Sequence, residues 1–219
     1  MQTTQQPLFE QYRPSTWSDV IAQDKAIAKI NLVRKRGLTG RGFWISGKSG
    51  TGKTTIARIL AAEVAADIET TEIDATALNA DKLRDIEATI AHTSLFPPYG
   101  RAYIVNEAHG LCKASIRRLL CLTEPIPPHV IWIFTTTCDG QQSLFEDQED
   151  AGPLLSRFVR LSLSSRGLAE AFAARCREIA EAEGLNGKPI ERYLALAKDC
   201  RNNFRAMLQA IEAGAMMDL

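Results

Sequence analysis

At 219 residues, 45% apolar and 24% charged, the chain has the length and composition of a globular protein with its own core, which excludes a disordered or fibrous chain. Lysine plus arginine and aspartate plus glutamate balance at 26 each, so no whole-chain field attracts nucleic acid or an acidic membrane; any such contact must come from a local patch. No apolar run reaches the length of a membrane span, and the polar start, Met1 to Gln6, does not read as a signal peptide. Five cysteines (Cys112, Cys121, Cys138, Cys176, Cys200) form no CxxC pair; they read as buried small apolar residues of a cytoplasmic protein rather than as metal ligands or disulfides.

Residues 1–11 are polar and expected to be loose. Tyr12-Arg13-Pro14 opens an extended arm, since Pro14 breaks any helix there, and a helical stretch follows from Gln23 to about Arg36. The apolar run Gly42–Ser46 predicts a strand, and the pattern Thr55–Val64 a helix. Between them lies Gly47-Lys48-Ser49-Gly50-Thr51-Gly52-Lys53-Thr54, the full GxxxxGK[ST] spacing of a P-loop in its strand-to-helix setting. Three glycines let the backbone turn so that successive N–H groups face a phosphate, and the helix adds its positive end. Lys53 can reach the β- and γ-phosphates, and the Thr54 hydroxyl can hold Mg²⁺.

Beyond the P-loop, strands are expected at Ile68–Ile73, Ala102–Asn106, Val130–Thr135 and Phe158–Leu163, with helices at Ala80–Ala91 and Lys113–Thr123. Continuous apolar strands separated by helices predict an α/β fold: a parallel sheet with helices on both faces. Cys138 to Pro153 reads as a long loop whose Glu146, Asp147, Glu149 and Asp150 form a solvated acidic surface. After Leu163 only helices are expected. Ser165 caps one running to Glu183, Gly184 stops it, Pro189 opens a second reaching Cys200, and a third spans Asn203 to Met216. The expected division is therefore a flexible 1–11, a nucleotide-binding domain at 12–164 and a helical lid at 165–219.

A P-loop protein needs a second site at a later strand end, to hold Mg²⁺ and orient water. Asn106, Glu107 and His109, at the end of Tyr103-Ile-Val, are the candidates. Thr135, Thr136 and Thr137 offer hydroxyls at a third strand end. Arg157, Arg160 and Arg205 can supply positive charge, which matters because phosphoryl transfer is catalysed mainly by positioning and charge neutralisation.

Together these features resemble the AAA+ motor subunits of sliding-clamp loaders, the bacterial DNA polymerase III motor subunit and the replication factor C small subunits. The matching stretches are Tyr12-Arg-Pro with Asp19-Val-Ile-Ala-Gln23, the P-loop, Glu72-Ile-Asp-Ala75, and Asn106-Glu107-Ala-His109. They continue with Leu119-Leu120, Glu124-Pro125 to Val130, the threonine strand end and Leu155-Ser156-Arg157. The resemblance implies an AAA+ P-loop fold with a three-helix lid and an ATP- and Mg²⁺-dependent ATPase. It places Tyr12, Arg13, Pro14, Val20 and Ile21 about the adenine, and Gly47, Lys48, Ser49, Gly50, Thr51, Gly52, Lys53, Thr54 and Thr55 about the phosphates. It makes Thr54, and Asn106 through water, the Mg²⁺ residues, and Glu107 the base or water-orienting carboxylate. Thr137 becomes the sensor, or Thr136 if the register slips by one. Arg157 is the finger reaching a neighbouring subunit, Arg205 is the lid sensor, and Arg160 is structural. The implied partners are other AAA+ subunits, a sliding clamp and primed double-stranded DNA. Lys82, Arg84, Lys113, Arg117 and Arg118 are candidate phosphate contacts.

Three departures change the expectation. Asn106 stands where the family has an aspartate, so a unit charge is missing beside the metal. At about 4 Å and an effective dielectric of about 20, such a pair is worth roughly 4 kcal/mol. Desolvation and rearranged waters reduce that penalty, which leaves hydrolysis slower by on the order of a hundredfold or more. Ser-Arg-Phe replaces Ser-Arg-Cys and leaves Arg157 intact. The sequence ends after the lid and has no cysteine between Thr55 and Asn106, where bacterial relatives bind zinc, so oligomers are expected to form through the nucleotide interface or another polypeptide. The reading is a slow ATPase acting in an oligomer on DNA, with two alternatives: a non-hydrolysing ATP-dependent scaffold, and another AAA+ DNA motor or remodeller. On sequence grounds Asn106→Asp is expected to turn over faster than the parent in a steady-state assay.

Overall fold

The structure, a computed structural model, describes residues 6–137 and 151–217. Five strands form one sheet in the order β2-β3-β4-β1-β5: β1 Arg41–Gly47, β2 Thr70–Asp74, β3 Arg101–Asn106, β4 Val130–Thr137 and β5 Phe158–Ser162. All four pairings are parallel. Helix α2 (Asp24–Arg34) precedes the sheet, and α3 (Lys53–Ala62) follows β1. Helices α4 (Ala80–Ile90), α5 (Lys113–Leu122) and α6 (Ala151–Ser156) complete the α/β part. The expected fold class is what is observed. Most of the acidic stretch, residues 138–150, lies outside the described residues, while its end forms α6 with Pro153 in the first turn, where a missing N–H costs nothing.

The central strands β1, β3 and β4 are buried on both faces, which is why they read as apolar runs, while the edge strands β2 and β5 alternate with exposed residues. On β4, Val130, Trp132 and Phe134 face one side and Ile131 and Ile133 the other, all at most 1% exposed. The first side is an aromatic layer. Phe134 stacks on Trp44 at 5.7 Å, on Trp132 at 5.8 Å and on Phe158 at 4.9 Å, and Tyr103 lies 4.7 Å from Trp132. The apolar faces of α4 and α5 close it through Leu83, Ile86, Ile116 and Leu119. Helix α3 packs against β1, β3 and β4.

Two compact units share the chain. One comprises Lys25–Gly47 and Lys53–Leu163. The other runs to Asp24, takes in Lys48–Gly52 and resumes at Ser164. In this second unit α7 (Ala169–Ala182), α8 (Ile190–Asp199) and α9 (Phe204–Glu212) bury Phe172, Cys176, Ile179, Tyr193, Met207, Leu208 and Ile211. The segment expected to be loose through residue 11 is helical from Leu8 to Gln11 (α1), because Leu8, 5% exposed, finds a place in this core. Gln23 ties the end of the arm to Ser164 by a reciprocal pair of bonds, 2.9 and 3.1 Å.

Ser165 is not a helix cap. The Ser164 hydroxyl binds both backbone groups of Arg166, Gly167 sits at φ +70°, and α7 begins only at Ala169. Gly184, at φ +68°, ends α7 as expected, with the Leu185 N–H donating to the Ala180 carbonyl at 2.8 Å. Pro189 is the cap before α8 rather than its first residue, and the Asn203 side chain caps α9 on the Ala206 N–H. The cysteines also divide differently. Burial pushes the Cys176 thiol up to about 12, but Cys112 and Cys121 are exposed near the two ends of α5, where a bond from Ser115 lowers the Cys112 thiol.

Truncating the centre of the aromatic layer, Phe134→Ala, is expected to cost about 3–5 kcal/mol, read as a lower urea midpoint at an unchanged m-value.

Candidate active site

The parallel sheet sets the ends of β1, β3 and β4 side by side, at the edge where open α/β sheets bind ligands. β1 stops at Gly47, opposite Thr137 of β4, and α3 starts at Lys53. The loop between them needs its glycines for backbone reasons. Gly50 and Gly52 adopt φ +74° and +94°, which L residues avoid. A Cβ on Gly50 would also lie 2.1 Å from Asn203 Oδ1, whereas one on Gly52 would meet nothing within 4 Å. The Thr51 hydroxyl donates to the Lys48 carbonyl at 2.8 Å, and Lys48 and Ser49 are exposed.

Lys53 is 7% exposed, and its ammonium donates to the Gly47 carbonyl at 3.0 Å, so a buried cation stands where α3 begins, against the end of β1. Such a cation fits a polyphosphate. Thr54, half-buried one residue on, directs its hydroxyl at Asn106 Oδ1, 3.4 Å away, and Thr55 is buried. The same Oδ1 accepts from the Thr135 hydroxyl at 2.9 Å, while Asn106 Nδ2 donates to Glu72 Oε1 at 2.7 Å. Glu72 in turn pairs with Arg58, whose Nε lies 2.8 Å from Oε2. Asp74, opposite Asn106 across the β2–β3 ladder, is committed elsewhere: it accepts from the Thr76 hydroxyl and N–H, and those bonds lower its carboxyl.

Glu107 has φ +50°, a strained conformation for a residue with a Cβ, and half-exposes its carboxylate just past β3. Its Oε2 accepts from the Thr137 hydroxyl at 2.9 Å and lies 3.4 Å from His109 Nδ1, which is itself 3.3 Å from Thr136 Oγ1. The structure thus brings Thr54 to Asn106 and Thr137 to Glu107. An oxygen-rich pair of hydroxyl and amide carbonyl suits Mg²⁺ through water. Arg157 is engaged within its own chain, with the Pro153 carbonyl at 2.5 Å and with the Glu124 carboxylate.

In the other unit, the Tyr12 hydroxyl donates to Glu183 at 2.6 Å, and that bond pushes its pKa above the usual phenol value. Arg13 pairs with Glu10 at 2.9 Å, Ile21 packs on the helical core, and Pro14 and Val20 are half-buried. The Arg205 guanidinium lies 5.4 Å from the centre of the Phe9 ring. Of the candidate DNA contacts, Arg84 pairs with Asp81 and Arg118 with Glu87. Sequence reasoning missed Glu72 as the partner of Asn106, with Arg58 behind it, and it missed Asn203 against Gly50. Glu72 stands two positions before the end of β2 on the same face as Asn106, a signal visible only once β2 and β3 are known to be adjacent.

A family profile described as the TIP49 P-loop domain matches residues 16–93. DNA polymerase III subunit gamma/tau of Mycobacterium tuberculosis is 28% identical over 155 residues, covering 59% of this chain and 27% of that protein. The Mycoplasma genitalium protein of the same name is 33% identical over 158 residues, covering 60% and 26%. Subunit tau of Escherichia coli is 27% identical over 237 aligned positions, covering 95% and 35%. A solved Thermotoga maritima RuvB, titled a Holliday junction branch migration motor, superposes with a TM-score of 0.66 at 23% identity, covering 92% of this chain and 64% of that one. A mutant of the same RuvB gives 0.70 at 21% identity, with the same coverage. This is an AAA+ P-loop fold, and the chain is related in sequence to gamma/tau. The matched stretches span about a quarter to a third of these sequence relatives' length.

Gly50→Ala is expected to destabilise by about 1–2 kcal/mol from backbone strain alone, with the approach to Asn203 adding to it. Thermal melting of the purified variant checks this.

Proposed function

We propose that the chain binds Mg·ATP and hydrolyses it slowly, acting as a clamp-loader-like motor module in an oligomer on DNA in the cytoplasm. The observation that carries this reading is the joint placement of a buried Lys53 where α3 begins, against the end of β1, and a Thr54 hydroxyl facing Asn106. The loop amides and Lys53 would hold the β- and γ-phosphates, and Thr54 and Asn106 would hold Mg²⁺, which when bound neutralises charge on the phosphate oxygens. Glu107, held by Thr137, would orient the attacking water. Arg157 would complete a neighbour's site once released from Glu124, and Arg205 would serve as the lid sensor. The relatives' names and the family resemblance support DNA polymerase III-type partners: other AAA+ subunits, a sliding clamp and primed DNA.

A second reading, an ATP-dependent scaffold that does not hydrolyse, is favoured by Asn106, which brings no charge to the metal position. Single-turnover hydrolysis with and without primed DNA separates the two. Clamp pull-down, and solution mass with a non-hydrolysable ATP analogue, test the partners and the task given to Arg157.

Calorimetry of Mg·ATP should show saturable heat, and Lys53→Ala should weaken binding about tenfold or more by removing a charge-assisted contact. No heat from the parent protein overturns the nucleotide reading. Thr137→Val should slow single-turnover hydrolysis by on the order of tenfold with ATP affinity unchanged, because it loosens Glu107 and leaves the P-loop alone.

A further inference from the structure

An asparagine at the metal position has a difficulty that an aspartate lacks. Its two edges differ: one is a carbonyl that attracts a cation or its water, the other an NH₂ that repels it. The hydroxyls of Thr54 and Thr135, at 3.4 and 2.9 Å from Asn106, do not settle which edge faces them, since a hydroxyl both donates and accepts. Glu72 does settle it. A carboxylate only accepts, and Oε1 stands 2.7 Å from the amide nitrogen. Turning the amide over would set two oxygens at that separation. Arg58 fixes Glu72 from the far side, through Nε to Oε2 at 2.8 Å and Nη2 to Oε1 at 3.2 Å.

We propose that Glu72 is a positioning residue for the magnesium site: by holding the NH₂ edge of Asn106, it keeps the carbonyl edge aimed at the Thr54 hydroxyl. The inference rests on the nucleotide reading above and assigns Glu72 a task that Lys53, Thr54 and Glu107 do not perform. It also reverses the simple expectation for Asn106→Asp. An aspartate there brings a second carboxylate against Glu72, and like charges at hydrogen-bond distance repel. The gain in turnover expected from the added charge then belongs to the variant in which Glu72 is also removed.

The test is a cycle of four proteins: the parent, Glu72→Ala, Asn106→Asp and the double variant. The first readout is the Mg²⁺ concentration that half-saturates binding of a fluorescent ATP analogue. With Asn106 present, Glu72→Ala should raise it about threefold or more, the worth of one hydrogen bond that holds the amide. In the Asn106→Asp background, the same change should shift it by less than about twofold, because both edges of a carboxylate are oxygen. An equal rise in both backgrounds would show Glu72 acting only as a distant charge and would overturn the proposal, as would no rise with Asn106. The second readout is melting without nucleotide. Asn106→Asp should melt below the parent, and the double variant should recover most of the loss; Asn106→Asp melting with the parent would refute the pairing. If the parent fails to bind the analogue, the nucleotide reading falls, and the melting cycle still judges the Glu72–Asn106 contact by itself.

Discussion

Everything chemical in this molecule depends on parallel pairing. A parallel ladder places the carboxyl ends of neighbouring strands on one edge, and here β3 lies between β2 and β4 with β1 next in line. Residues far apart in sequence therefore become neighbours with no dedicated loop to carry them: Thr54 after β1, Glu72 in β2, Asn106 at the end of β3, and Thr135 in β4. The aromatic layer beneath is what makes that edge rigid. Phe134 of β4 stacks on Trp132 of its own strand, on Trp44 of the neighbouring β1 and, beyond β1, on Phe158 of β5, so the polar groups at the strand ends ride on a packed sheet.

The polar edge is organised as two small networks. One centres on Asn106 and runs from Arg58 through Glu72 to Thr54 and Thr135. The other centres on Glu107 and takes in Thr137 and His109. In the first, a neutral amide is fixed by a carboxylate that is itself neutralised by a guanidinium. In the second, a strained backbone at Glu107 presents a half-exposed carboxylate to a hydroxyl. Backbone strain of this kind gathers where geometry serves chemistry rather than stability. Arg157 stands apart from both, engaged with Glu124 in its own chain.

The helical unit shows how tertiary burial overrides local pattern. Its sequence predicts an early cap at Ser165 and a loose start to the chain. Instead, the Ser164 hydroxyl closes a turn on Arg166, and the short α1 is held by burying Leu8 against helices from the far end of the chain. No local signal announces that contact, because so short a helix gives periodicity nothing to repeat over.

By itself the sequence determined the α/β class, the place of the P-loop between β1 and α3, the strand-end positions of Asn106, Glu107 and Thr137, and the ends of most elements. Those features follow from local rules: continuous apolar runs, glycines where the backbone must turn, and a lysine and a threonine at fixed spacing. Tertiary structure alone decided strand order, and with it the pairing of Glu72 with Asn106, of Arg58 with Glu72, and of Asn203 with Gly50. Such contacts join residues that no periodicity links, since which strand neighbours which is fixed by how the whole sheet buries both faces and not by any single segment.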